Sequence, residues 1–259
     1  MGAGRLARVR AVAANTFRET VRERVLYNLV FFAIIMTLAG LLMGQLSIRQ
    51  DEKIIKDIGL AAMELFGTMI AIFIGVGLVA KEIERRSLHP LLAKPLTRDE
   101  FFLGKFAGLG LTLLVNVSVM AGGLALTLAA TGRRMDPNLL KAIYPIYLGL
   151  LLVVALALLF STLTSSALAA VFTVGTVVAG RFSDIIRNMR EVAPGAPAWL
   201  VHFLYYALPN FRNFDFKDRV AYGDPVPLAA LGTVTAYAIA YTGVVLLVGL
   251  AAFRSRELP

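Results

Sequence analysis

The chain has 259 residues, of which 58% are apolar and 17% charged, with a mean hydropathy of +0.73 and a formal net charge of +9. A soluble domain carries roughly a quarter charged residues, so this composition excludes an ordinary water-soluble globule. There is no cysteine, which excludes disulfides, thiolate chemistry and cysteine metal sites.

The apolar excess is concentrated in nearly uncharged runs of about 18 residues or more, the helical length that a ~30 Å hydrocarbon slab requires. Basic residues flank these runs, where they meet anionic head groups. No basic patch with interleaved aromatics points to nucleic acid. The expectation is an all-α, polytopic membrane protein with six spans and a single transmembrane domain.

Residues 1–24 come first. Leu6, Val9, Ala13, Phe17 and Val21 recur at helical spacing, while Arg5, Arg8, Arg10, Arg18, Arg22 and Arg24 fall largely elsewhere. That pattern predicts an amphipathic helix in the membrane interface, with its arginines toward head groups. The first apolar run lacks a small-residue cleavage site and reads as a retained span.

Spans are expected at 25–46, 60–80, 106–130, 142–160, 163–180 and 228–253. The stretch 181–227 is too long for a plain turn. Within it, residues 199–208 (WLVHFLYYAL) are apolar, but ten helical residues reach only about 15 Å, half the slab. They read as a re-entrant or interfacial element. Lys and Arg number 12 in the first two segments on the N-terminal side and 6 in the first two on the other. The positive-inside rule then puts both termini in the cytoplasm.

The segment 81–105, KEIERRSLHPLLAKPLTRDEFFLGK, is the charged island of this greasy chain. Thr97 and Glu100 form a capping box that starts the third helix. Pro90 and Pro95 bracket Leu88, Leu91, Leu92 and Leu96, which could share one face of a short helix. Held in the cytosol by two spans, such an element suits docking into a partner's groove. A solvated loop resting on lipid is the simpler alternative.

The order Glu82-Ile83-Glu84-Arg85, then Lys94-Pro95-Leu96-Thr97-Arg98, then Phe102-Leu103-Gly104-Lys105 resembles the loop between the second and third spans of ABC-2-type permeases. The likeness is to the branch that includes the permease of nitrous oxide reductase maturation. Asn15-Thr16-Phe17-Arg18-Glu19 with Arg22-Glu23-Arg24 is similar to that branch's N-terminal helix. Leu208-Pro209-Asn210-Phe211 followed by Asn213-Phe214-Asp215 is similar to its later loop. The resemblance implies a coupling element at Leu88–Lys94, including Leu91 and Leu92, with Glu82, Glu84 and Arg85 at the base of the second span. It also implies a separate ATPase subunit that binds ATP and magnesium, a second permease copy or paralogue, and a place in a bacterial or archaeal cytoplasmic membrane. No cofactor or catalytic site is expected on this chain. Consistently, Gly104-Lys105 lacks the rest of a GxxxxGK[ST] phosphate loop.

Glu64, expected four residues into the second span and so about 6 Å from its outer end, either lines an outer vestibule or pairs structurally. Tyr205, Tyr206 and Phe211 form either a gate beside that vestibule or an aromatic belt. Gly104 and Gly108 form a GxxxG pair that favours close helix packing over a hinge. Asn116 and Ser118 are expected to bond across helices. His89 and His202 have no metal-ligand spacing. Three readings compete with the ABC permease. A self-contained carrier or channel would need ionisable groups at midplane. An intramembrane enzyme would need a nucleophile–base pair or metal cluster. A membrane scaffold would need neither.

Overall fold

The computed structural model describes residues 2–23, 31–36, 51–84, 97–132, 136–183 and 206–255, together with residues 38, 197 and 199. Every regular element among them is helical: α1 (Gly2–Glu23), α2 (Asp51–Glu84), α3 (Arg98–Ala130), α4 (Pro137–Leu163) and α5 (Ser166–Arg181), a 3-10 turn (Phe211–Phe214), α6 (Lys217–Ala221) and α7 (Leu228–Ser255). Residues 31–36 are helical as well.

Among the described residues, four helices are long and apolar enough to cross a membrane, with their spanning stretches at Glu52–Gly77, Arg98–Ala130, Pro137–Leu163 and Leu228–Ser255. α5 has 16 residues and reaches only about 24 Å. Of the expected first span, only residues 31–36 and 38 lie among those described.

α4 is the axis of the bundle. It is apolar all round, and 67% of its most apolar stretch is buried, against 22% for α7, so α4 takes the centre and α7 the rim. Val154, Ala155, Ala157 and Leu158 are fully buried, and α2, α3, α5 and α7 all pack on α4. On α2, glycines make the approach: Gly67 meets Leu150 and Gly75 meets Ala157. Where lipid gives helices no hydrophobic drive to associate, such small residues allow close backbone contact.

Three helices start earlier than their apolar runs suggest. α2 begins at Asp51, not 60, because Glu52 and Lys56 pair across one turn at 2.6 Å and Ile55 is already buried. α3 begins at Arg98, where Thr97 Oγ1 accepts from the Glu100 N–H and Glu100 accepts from the Thr97 N–H. The capping box read in the sequence is therefore present. α4 begins at Pro137, with Asp136 accepting from the Asn138 N–H. The stretches between these helices thus shrink to 85–97 and 131–136. Of 199–208, only Trp199 and residues 206–208 are described.

α1 is a helix as expected, but its neighbour is protein. Arg8 meets Glu100, Val12 meets Gly104, and Thr16 meets Gly108. The numbers differ by 92 each time, so α1 runs parallel to α3 for at least two turns instead of lying across it. Phe32 keeps almost the same offset at Gly123. Thr16 and Thr20 are buried, while Leu6 and Val21 stay exposed. The GxxxG pair is thus a groove for α1, as a packing role requires. Ser118 departs from expectation: it is exposed and donates to Leu114 O in its own helix. Asn116 is buried, and among the described residues neither of its side-chain polar atoms has a hydrogen-bond partner.

Candidate functional site

Charge gathers at two places, one at each end of the bundle. The first turn of α3, which follows the 85–97 loop, is a hub. Glu100 takes both Arg8 nitrogens, Nε at 2.9 Å and Nη2 at 2.7 Å, with Arg5 at 3.8 Å. This fork-to-fork geometry is the strong form of an arginine–carboxylate pair. The carboxylate bonded to it raises the Arg8 guanidinium above its ordinary pKa. Asp99 takes Arg254 in the same way, with Nε at 2.8 Å. Arg98 donates to the terminal carbonyls of α7, Arg254 O at 2.9 Å and Phe253 O at 3.4 Å. The last carbonyls of a helix are available to outside donors, and the C-terminal dipole favours a cation there. Phe253 stacks on Phe101 and packs on Phe102. Three consecutive charged residues thus fasten α1 and α7 to the start of α3.

Sequence reasoning found only the capping box here. The missed signal was the run Arg98-Asp99-Glu100 before an apolar helix; Arg5 and Arg8 were read as facing head groups, and Arg254 was given no role. Among the expected coupling residues, Glu82 and Glu84 lie on the last turn of α2. Arg85, Leu88, Leu91, Leu92 and Lys94 lie outside the described residues.

The far end is built differently. Glu64 is 14% exposed and holds two cations, Arg181 at 2.5 Å from the end of α5 and Lys217 from the start of α6. Lys217 also approaches Asp215 at 3.6 Å. Because α2 begins at Asp51, Glu64 sits about 20 Å along it, not 6 Å. The structural pairing weighed for Glu64 is present.

The segment between α5 and α7 reaches down to this level. Asn210 N–H donates to the Tyr237 hydroxyl at 2.7 Å, and Phe214 lies on Gly149. Tyr237 and Gly149 are about 14 and 18 Å along α7 and α4 from their far ends. Helices of 27 to 34 residues measure about 40–50 Å and overhang a ~30 Å slab. If the overhang divides equally, residues 210–217 lie roughly 8–13 Å inside the hydrocarbon boundary.

Irregular backbone at that depth must be covered by protein or line a wet cavity. Residues 209–216 are covered by protein on one side and border a cleft on the other. Pro209, Phe211, Phe214 and Phe216 are buried, with Phe211 beside Gly180, while Arg212, Asn213 and Asp215 face outward. The outward set borders a half-open cleft of about 510 Å³, closed by Arg219 of α6 and by Ala230, Thr233, Val234 and Tyr237 of α7. Of the residues expected at a gate, Phe211 is a buried anchor, Tyr206 is 75% exposed, and Tyr205 lies outside the described residues.

A bundle of helices long and apolar enough to cross a membrane defines a polytopic membrane protein. The family model described as ABC-2 family transporter protein matches residues 10–258. The chain therefore belongs to the ABC-2 transporter family, whose members are the membrane components of transporters. A search of curated proteins returned no significant match.

Proposed function

We propose that this chain is the permease subunit of an ABC exporter, driven by ATP hydrolysis on a separate ATPase that docks on the loop between α2 and α3. Two copies, or this chain and a paralogue, would form the pathway in a cytoplasmic membrane with both termini inside. The observation that carries the reading is the hub at Arg98-Asp99-Glu100. It stands at the end of the docking loop and is fastened to α1 and α7, so a push on the loop would reach three helices together. Within the family, the nitrous oxide reductase maturation branch is favoured by the Leu208-Pro209-Asn210-Phe211 run, whose Asn210 side chain accepts from the Arg212 N–H.

The test is a mild-detergent pull-down of the tagged chain with mass spectrometry of its companions. The expected result is an ATPase bearing a Walker phosphate loop, lost when Leu91 and Leu92 are changed to Asp. Charge reversal at Glu84 and Arg85 together should also weaken its capture while membrane insertion stays normal. A chain that purifies alone, even after cross-linking at 81–105, overturns the proposal.

The Glu64 cluster favours a second reading, a self-contained carrier, because ionisable groups at membrane depth are what such a carrier needs. Substrate flux in proteoliposomes without any ATPase, abolished by Glu64→Gln, would establish that reading instead.

A further inference from the structure

We infer that the face of α1 turned away from α3 binds the phosphate of an anionic phospholipid between Arg10 and Arg18. The inference needs the chain's place in a membrane but not its coupling to an ATPase.

The arginines of α1 divide between two faces. Arg5 and Arg8 reach Glu100, and Val12 and Thr16 fill the groove of α3 beside them. At about 100° per residue, Arg10 and Arg18 lie about 80° apart and centre on the far side of the helix. Both are exposed, and among the described residues no carboxylate pairs with either. Glu19 is half-buried and falls about 100° from Arg18, on the side toward α3. α3 carries no charged residue between Phe106 and Ala130. Ala11 and Ala14, both exposed, leave a low floor of methyl groups between the two cations. Guanidinium is the side-chain group best matched to phosphate, because its planar fork donates two parallel hydrogen bonds.

Depth argues for a lipid. The parallel register, with its offset of 92, sets Arg10 level with Phe102 and Arg18 level with Gly110. Gly110 lies about 18 Å from the start of α3 at Arg98. A helix of 33 residues overhangs a ~30 Å slab by about 10 Å at each end when the overhang divides equally. Arg10 then starts just outside the hydrocarbon and Arg18 roughly 8 Å within it. Leu103 and Leu111 of α3 are exposed at these same levels, which marks the surroundings as lipid. A cation at that depth is costly unless it reaches water or a counter-ion. Helical side chains lean toward the N-terminus, here the loop end, so the Arg18 guanidinium rises toward Ala14 and Arg10. A phospholipid of that leaflet supplies the anion at the place where the two guanidinium groups approach each other. Val21, exposed on the same face and just under a turn deeper, gives its acyl chains an apolar surface to follow.

The test uses the purified full chain in phosphatidylcholine nanodiscs containing a minor fraction of phosphatidylglycerol, with retained lipid counted by native mass spectrometry. Arg10→Gln with Arg18→Gln should lower phosphatidylglycerol retention about tenfold, the loss expected for removed charge-assisted bonds, and leave phosphatidylcholine unchanged. Arg5→Gln, on the opposite face, should leave both unchanged. Equal retention by the double Gln variant overturns the proposal, and so does an equal loss from Arg5→Gln, which would mean diffuse attraction without a site. Should the double variant not fold, the native arginines can be kept. The chain has no cysteine, so Ala7→Cys accepts a single fluorophore at the rim of the site. Phosphatidylglycerol spin-labelled at its head group should quench it more than spin-labelled phosphatidylcholine does, and equal quenching overturns the inference. If inorganic phosphate removes that difference and chloride at the same ionic strength does not, the site takes a free anion and the lipid claim falls. A photocrosslinker on the same cysteine should capture lipid in native membranes. Capture of a second copy or of another protein in its place also overturns the inference.

Discussion

The two ends of this bundle use the same chemistry, carboxylates held by basic side chains, to different effect. At the loop end the Asp99–Arg254 pair joins helix termini and keeps its side chains 37% and 58% exposed. At the far end Glu64, on the flank of α2, and Lys217, at the start of α6, are 14% and 15% exposed. An exposed pair gains little over its hydrated partners, whereas a shielded carboxylate that loses a cation leaves charge without compensation. Within the loop end the Asp99–Arg254 pair is therefore a fastening that can be undone and remade, whereas Glu100, 5% exposed against Arg8, is as firmly held as Glu64. The far end is a fixed part of the packing.

The comparison can be broken most sharply at Gly180. A side chain there would run into the Pro209 carbonyl and the Phe211 ring, both buried. Gly180→Leu should prevent the far end from assembling, seen as loss of a monodisperse peak in detergent size-exclusion chromatography. Glu64→Gln comes next, with an expected loss of about 2–3 kcal/mol as two cations lose their shared anion. Thermal unfolding in detergent checks it, and the loss should be insensitive to salt. If the Gln variant instead keeps full stability, transport and pH dependence, Glu64 is neither strut nor vestibule.

At the loop end, Gly108→Ala would press a methyl group onto the Ala13 carbonyl and Thr16, costing about 1–3 kcal/mol. Protease should then reach α1 sooner, while the rest of the chain stays protected. The smallest effect belongs to Asp99→Asn, below about 1 kcal/mol and vanishing in high salt. A large, salt-independent effect there would erase the distinction between the ends.

What could be read in the sequence follows from the range of each interaction. The capping box at Thr97 and Glu100 is local, three residues long, and stands as expected. The apolar runs of α3, α4 and α7 mark helices because burial in lipid needs only composition. Helix starts were harder. Lys53, Lys56 and Asp57 read as loop, yet they form helical turns beneath α6, with Lys53 over the Tyr222 ring. Partners at long range were out of reach altogether. Nothing local to Glu64 announces Arg181 or Lys217, and nothing local to Glu100 announces Arg8. Gly104 and Gly108 announced a groove without saying which helix fills it.

The constant offset of 92 residues between α1 and its groove has a consequence for biogenesis. A ribosome adding about 5–20 residues per second completes α1 some 5–20 s before Gly108 exists. Through that interval α1 lacks its groove on α3, and its arginines and exposed Leu6 and Val21 suit it to the lipid surface. The amphipathic pattern then describes where α1 waits during synthesis, and the small-residue face of Val12, Thr16 and Thr20 describes where it finishes.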